Sequence, residues 1–414
     1  MRLPRQGEGG LTPRGDAPLL IIGAGVCGLA TALCAARAGH SVHILESRDA
    51  FHETGAGLQL GPHAVKVLVA LGLGDVLKPI ASAPADILIR GLESGKPICR
   101  IPLGARAEAR YGAPYWCLHR QDLHRALAGA VAASPRITAT FGFRAGRLAE
   151  DSDGIRVSDD KGRSFEGQGL IGADGLWSST RRAMESDAGS PSQARFSGYV
   201  AWRTVLAKPM DQGSDLGSVS LWLGADAHAV HYPVAAGRLF NLVVVRREPP
   251  GMEDYEQIGD RDAMLEDTAR WPRPVRDLVA AAPDWRRWPL FLCDEGSAWY
   301  SGRVLLAGDA AHPLLPFLAQ GAAMALEDAW AIGRALGQPD RLIEAAWRDV
   351  EQLRLPRVRR VVRASARNAQ SFHLSGPLRL ARDAAMRMMG GDRLLSAYDW
   401  LYGHAETEHR APAR

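Results

Sequence analysis

The stretch from Leu19 to Glu46 constrains the fold more than any other part of the chain. Leu19 to Ile22 reads as a buried strand, Gly23-Ala24-Gly25-Val26-Cys27-Gly28 as a turn, and the residues to about Ala38 as a helix. A second strand, Val42 to Leu45, ends at Glu46. In such a unit Gly23 permits the tight turn, Gly25 lets the backbone approach a pyrophosphate, and Gly28 allows close helix packing. Glu46 stands where an acid accepts hydrogen bonds from an adenosine ribose. Strand, helix, second strand and terminal acid together predict a dinucleotide site. They do not separate FAD from NAD, since both carry adenosine diphosphate.

Arg303 to Ala329 adds a second constraint. Val304 to Ala307 form an apolar run of the kind that fills a buried strand. Gly308-Asp309 puts a carboxylate at its end, where open α/β sheets hold ligands. His312-Pro313 and Pro316 delay the next helix. Gln320-Gly321-Ala322-Ala323 then opens one whose first N–H groups suit an anionic ligand atom. A buried Asp309 before such a helix start fits a cofactor with a hydroxylated chain and a ring that becomes anionic, as in reduced flavin. An ordinary strand-loop-helix unit with a capping Asp fits the same pattern. A further strand-end acid, Asp174, follows the apolar Leu170 to Ala173 and precedes a Ser-rich helix start.

Length and composition set the outer limits. At 414 residues the chain suggests two domains, and 46% hydrophobic with 23% charged residues describes a soluble globular protein. The net charge of +4 is a small excess and argues against a nucleic-acid partner. Five cysteines without metal-like spacing read as reduced thiols in a cytoplasmic enzyme. No apolar run approaches the roughly 20 residues needed to span a bilayer. Residues 1–16 read as a flexible tail.

Along the remaining chain, Gly55 to Leu73 reads as a Gly-rich start and a helix, with Gln59 and His63 as its polar members. His63 reads as a helix-start or turn residue. Ile87 to Ile101 reads as a strand pair, and Leu118 to Val131 as an amphipathic helix with Arg120 near its start. Glu150 to Ser164 carries hairpin signals, and strand-like segments predominate from Phe196 to Val245. Residues 252–285 and those after Leu336 look helical. Arg354, Arg357, Arg360, Arg363 and Arg367 make one helical stripe, read as a solvated or salt-bridged face. The fold class is therefore α/β: a Rossmann-like cofactor domain (17–80, 118–190 and 290–340), an inserted antiparallel-sheet substrate domain (81–117 and 191–289), and a helical segment (341–414).

Three separated motifs, GAGVCG, GADG and GDAAHP, together resemble those of the single-component FAD-dependent aromatic hydroxylases. The chain looks most similar to the salicylate hydroxylase, 3-hydroxybenzoate 6-hydroxylase and 6-hydroxynicotinate 3-monooxygenase branch, from about Leu19 to the DWLYG segment ending at Gly403. The resemblance implies that Glu46 holds the adenosine ribose and Arg120 contacts FAD. It implies that Asp309 binds the ribityl chain, and that the Gly321-Ala322 helix end faces the flavin pyrimidine. Asp174 belongs to a motif linked to both FAD and nicotinamide binding.

His228 and Tyr232 map to a His and Tyr that line the substrate pocket in related hydroxylases. Four residues apart on a strand, they would share one face, with His231 on the other. A phenol has a pKa near 10, so a base must remove its proton. The unperturbed pKa of His228, near 6.5, suits that role, and Tyr232 would orient or relay the proton. Pro316 and Phe317 are candidate apolar walls, and Arg203 a candidate carboxylate anchor. Phe317 departs from relatives that place a polar residue there, while Gln59 stands where the hydroxynicotinate enzyme has a His and Trp202 precedes Arg203 where that enzyme has another residue.

The expected function is an FAD-dependent monooxygenase that uses NADH or NADPH, with NADH favoured, and O2. It would hydroxylate a small phenolic or heteroaromatic acid through a flavin hydroperoxide. A flavin oxidoreductase that does not activate oxygen, or a non-catalytic FAD-binding protein, are the alternatives. The expected partners are the aromatic substrate and O2, without nucleic acid or integral membrane association, in a monomer or homodimer.

Overall fold

Five apolar or half-apolar strands run parallel through the cofactor half of the computed structural model. It describes residues 17–51, 56–186, 194–207, 214–249, 257–293 and 298–404. The segment 1–16, read as a tail, lies outside them. The six-stranded sheet has the order Tyr300–Ser301, Val304–Leu306, Gly169–Gly172, Leu19–Ile22, Val42–Leu45, Ile137–Thr140, and only Tyr300–Ser301 is antiparallel. Leu19–Ile22 is buried along its whole length, as a strand covered on both faces must be. The parallel order sets Glu46, Gly23, Asp174 and Asp309 just beyond the ends of four neighbouring strands.

The fingerprint glycines follow from contacts. Gly23 has φ +98°, and a Cβ there would lie 2.5 Å from the Ala173 carbonyl oxygen. A Cβ on Gly28 would lie 1.9 Å from the Gly23 oxygen, so helix Val26–Arg37 can sit this close to the turn only without a side chain. Gly308 in turn lies against Cys27, whose Sγ would be 2.9 Å from an added Cβ. All three glycine motifs thus touch one another in chain.

The second sheet has eight strands in the order Gln257–Ile258, Arg286–Leu292, Arg195–Ala207, Leu239–Arg247, Ala227–Val234, Val219–Leu223, Asp86–Gly91, Pro97–Pro102. It is antiparallel apart from the pairing of Val219–Leu223 with Asp86–Gly91. One face carries Trp202, Trp222 and Val244 and packs on Val275 and Leu278 of helix Arg273–Ala281. The other face carries Ala201, Tyr232 and Val245 and joins the core of the cofactor half. The architecture is the expected α/β one with an antiparallel sheet and a helical end.

Several local readings need correction. The substrate-domain boundary placed at residue 289 cuts through the strand Arg286–Leu292, which pairs along its length with the second sheet. Leu118 and His119 belong to a strand, Trp116–His119, and the helix begins at Arg120. Gly57–Leu60, read as the lead-in to a helix, pairs with that strand as a two-stranded ribbon. Bulky, fully covered Trp116, Cys117 and Leu118 favour extended backbone over helix here. The segment from Glu150 forms a three-stranded sheet rather than a lone hairpin: Ala145–Glu150, Ile155–Asp159, Ser164–Gly167. The part of the 252–285 reading before residue 257 lies outside the described residues.

Helix Ile343–Phe372 crosses the back of helix Gly321–Leu336 through buried charges. Arg354 donates from Nε to Asp328 Oδ1 (2.8 Å) and from Nη1 to Glu327 Oε2 (2.5 Å). Arg357 donates to both Glu327 oxygens at 2.7 Å. Asp328 Oδ2 meets His312 Nε2 at 2.6 Å and accepts from Gly308 N at 3.0 Å. The arginine stripe is thus salt-bridged at its first two members, while Arg360, Arg363 and Arg367 are exposed. Among the described residues, no helix is long and apolar enough to cross a membrane.

Candidate active site

A cavity of about 440 Å³ opens over the fingerprint turn and gathers Gly23, Gly25, Glu46, Arg120 and Asp174. Helix Val26–Arg37 starts there with no side-chain cap and no acid in its first turn. Its end therefore keeps unfilled N–H groups and partial positive charge. A Cβ on Gly25 would meet nothing within 4 Å, so the backbone faces open space. Arg48, Arg120, Arg144 and Arg182 line the same cavity. The two acids are largely committed: Glu46 accepts from Ala24 N at 2.7 Å and Arg48 N at 2.9 Å. Asp174 accepts from Ser178, Ser179 and Thr180 at 2.6 to 3.1 Å. Four cations, a bare helix end and a side-chain-free backbone fit a diphosphate, and Glu46 retains lone pairs for a ribose hydroxyl.

Asp309, Gly321 and Ala322 do not line this cavity. Asp309 is exposed, not buried as its strand-end position suggested, because the chain enters a short 3-10 turn, Gly308–Ala310, and turns the carboxylate outward. Gly321 and Ala322 are half-buried at a helix start that lacks a side-chain cap, as an anion site requires. Gln320, the N-cap residue, is occupied elsewhere: its Oε1 meets His63 Nε2 at 2.9 Å and its Nε2 donates to the Leu318 carbonyl. His63 itself is the second residue of helix Pro62–Ala70 and is buried.

On the second sheet, strand Ala227–Val234 carries His228 and Tyr232 on the face toward the cofactor half, with Arg203 two strands away. His231 stacks on Trp222 on the opposite face, as strand parity requires. Trp202 also points that way and donates to Glu248 at 2.8 Å, away from His228 and Tyr232. Tyr232 lies beside Gln59, whose Oε1 accepts from Tyr115 OH at 2.9 Å. Arg203 lies over the Trp288 ring at 4.8 Å and draws the Tyr232 hydroxyl pKa down against the larger upward push of burial. Phe317 packs 5.3 Å from the His228 ring and 5.2 Å from Tyr199, and Pro316 begins its turn.

Burial holds the His228 imidazole down to about 3, with His373 adding to the effect. The ordinary value near 6.5 expected from sequence does not apply: His228 is neutral, and in this closed packing it is a weaker base than a free imidazole. Burial also pushes the Tyr115 hydroxyl well up.

Three residues of this region were not singled out from sequence. His373 Nε2 lies 3.1 Å from His228 Nδ1. Asn241 accepts from Gly57 N at 2.7 Å. His124 Nε2 contacts the Ala24 carbonyl at 2.8 Å and braces the fingerprint turn. Only strand parity could have pointed to Asn241; the two histidines carry no local signal.

A family model described as an FAD binding domain matches residues 16–365. The chain is 33% identical over 395 residues to the 3-hydroxybenzoate 6-hydroxylase of Polaromonas naphthalenivorans (strain CJ2), covering 94% of this chain and 96% of that protein. It is 36% identical over 393 residues to the 3-amino-4-hydroxybenzoate 2-monooxygenase PtnB3 of Streptomyces platensis, covering 93% and 95%. Among solved structures, Klebsiella pneumoniae HpxO complexed with FAD and uric acid is similar, with TM-score 0.81 and 28% identity over 93% of this chain and 96% of that one.

Proposed function

Since the chain belongs to the FAD-dependent aromatic hydroxylases and is an FAD-dependent monooxygenase, we propose that it hydroxylates a small phenolic acid, with NADH as the favoured reductant and O2 as the oxygen source. The observation that carries this reading is the shared sheet face of His228, Tyr232 and Arg203, closed by Gln59 and Phe317 from the cofactor half. Relatives acting on hydroxybenzoates support an aromatic acid as substrate.

Bound FAD supplies electron transfer from the nicotinamide and activation of O2. The chain supplies the rest. Gly23, Gly25, Glu46, Arg120 and Asp174, which line one cavity, would hold the adenosine diphosphate part. Asp309 and the uncapped Gly321-Ala322 helix end would take the ribityl and pyrimidine parts. His228 receives the phenolic proton, which enriches the ring carbons ortho and para to the oxygen. Tyr232 orients that oxygen, and Arg203 pairs with the carboxylate. Phe317 and Pro316 keep water from the chamber. Cys27, Cys34, Cys99 and Cys117, none of them in a disulfide, support a reducing, cytoplasmic setting.

A panel of hydroxybenzoates and hydroxynicotinates, with NADH oxidation, O2 uptake and product followed together, tests the proposal. NADH oxidation without a hydroxylated product from any member would reject it in favour of an oxidoreductase or an uncoupled flavoprotein. His228→Ala should retain FAD yet lose product formation about 100-fold or more; equal product yield would remove His228 from the mechanism. Glu46→Ala should weaken FAD binding about 10- to 100-fold, the loss of charge-assisted hydrogen bonds, as read by flavin fluorescence titration of the apoprotein. Unchanged affinity would place the ribose elsewhere.

A further inference from the structure

His373 caps the end of helix Ile343–Phe372, 145 residues away from His228 in sequence, yet its Nε2 faces His228 Nδ1 at 3.1 Å. The pair is enclosed. Phe372 and Phe317 pack on the His228 ring at 5.3 Å each, and Tyr199 stacks on His373 at 5.3 Å with 21° between the planes. Burial lowers both rings, so both are neutral at neutral pH. Two neutral imidazoles in contact share one proton: one ring donates and the other accepts.

The neighbours decide which. His373 Nε2 is engaged with His228, so the pull of the Ala369 carbonyl, four residues back on the same helix, falls on Nδ1. Nδ1 makes no hydrogen bond of normal geometry. The His373 backbone N–H turns to the Ser371 carbonyl, so the Ala369 carbonyl is one of the helix-end oxygens left without an intrahelical N–H and favours a proton on the ring atom nearest it. With the proton on Nδ1, His373 Nε2 can only accept. His228 must then donate from its own Nδ1, which leaves its Nε2 lone pair free.

We propose that His373 is a positioning residue that fixes the ring tautomer of His228, keeping Nε2 unprotonated and available to a substrate hydroxyl. The inference rests on the reading of His228 as the base, but its test does not. The experiment uses the full-length holoenzyme labelled with 15N-histidine, with the His228 signals assigned by comparison with His228→Asn. The expected wild-type spectrum shows His228 protonated at Nδ1 and unprotonated at Nε2. In His373→Leu the His228 ring should become a tautomer mixture, and coupled product formation should fall about 10- to 100-fold, with KM for the aromatic substrate within about twofold. His373→Gln, which offers an oxygen near the Nε2 position, should restore both the tautomer and most of the product.

A wild-type His228 protonated at Nε2 overturns the proposal without any variant. So does a His228 tautomer that is identical in the wild type and His373→Leu. If the tautomer follows position 373 while His228→Ala makes full product, the lock stands and the base assignment falls. If His228→Ala loses product but the tautomer ignores position 373, the base assignment stands and the lock falls.

Discussion

Arg354→Met is expected to cost about 3–5 kcal/mol of stability, the usual penalty for leaving a buried charge without its partner. The Arg354 side chain is fully buried and bonds two adjacent carboxylates, Glu327 and Asp328. Methionine keeps much of the volume and removes the charge. Glu327 would still have Arg357, whereas Asp328 would keep only His312 Nε2 and Gly308 N. Those two contacts lie in the turn that presents Asp309, so FAD affinity should fall along with stability. Urea unfolding of the variant measures the first effect and flavin fluorescence titration the second. Arg360→Met, on the same helix but over the Trp400 ring at 4.2 Å, is the control and should lose less than about 1 kcal/mol. Equal losses in the two variants would mean that the buried network adds nothing beyond an exposed contact.

Acid should unfold the protein at a higher pH than its carboxylates alone would dictate. His63 and His228 are buried with 2% exposure each. Burial lowers them from 6.5 to about 4 and about 3 respectively. Their folded-state values lie below the unfolded one, so the unfolded chain takes up protons first. Stability is therefore full above about pH 6.5 and declines as pH falls toward the folded values. Each group contributes about 1.4 kcal/mol per pH unit in that window, so these two alone should leave stability at pH 4.5 roughly 5 kcal/mol below that at pH 7, and His373, lowered to about 4, adds to the loss. Asp328 behaves differently. Against the upward push of burial, His312 and Arg354 hold it down to about 2, so its contribution disappears only below the histidine window. Urea unfolding at pH 7, 5.5 and 4.5 reads the slope. A level profile down to pH 4.5 would clear the imidazoles of any part in acid unfolding.

What could be read from the sequence was what short-range pattern encodes. The strand-turn-helix at Leu19 and the acid at Glu46 are contiguous, and the structure reproduces the strand bounds Leu19–Ile22 and Val42–Leu45. Parity placed His228 and Tyr232 on one face and His231 on the other, because extended backbone alternates strictly. Long-range polar partners gave no such pattern. His373 meets His228 across 145 residues and Asn241 meets Gly57 across 184, with no period to mark either. The arginine stripe was visible, but which members are buried depends on Glu327 and Asp328 from another helix. The outward turn of Asp309 and the strand at Trp116–His119 were hidden for a related reason: tertiary cover, not local preference, decides both.

The Gly57–Leu60 ribbon has one more implication. Its glycine is tied to Asn241 of the large sheet, while its Gln59 stands beside Tyr232. The Tyr232 face of the large sheet is therefore met directly by a strand of the cofactor half. A fragment carrying only the nucleotide-gripping half would keep the adenosine grip but lose His228, Tyr232 and Arg203 together; chemistry begins only when the two halves are joined.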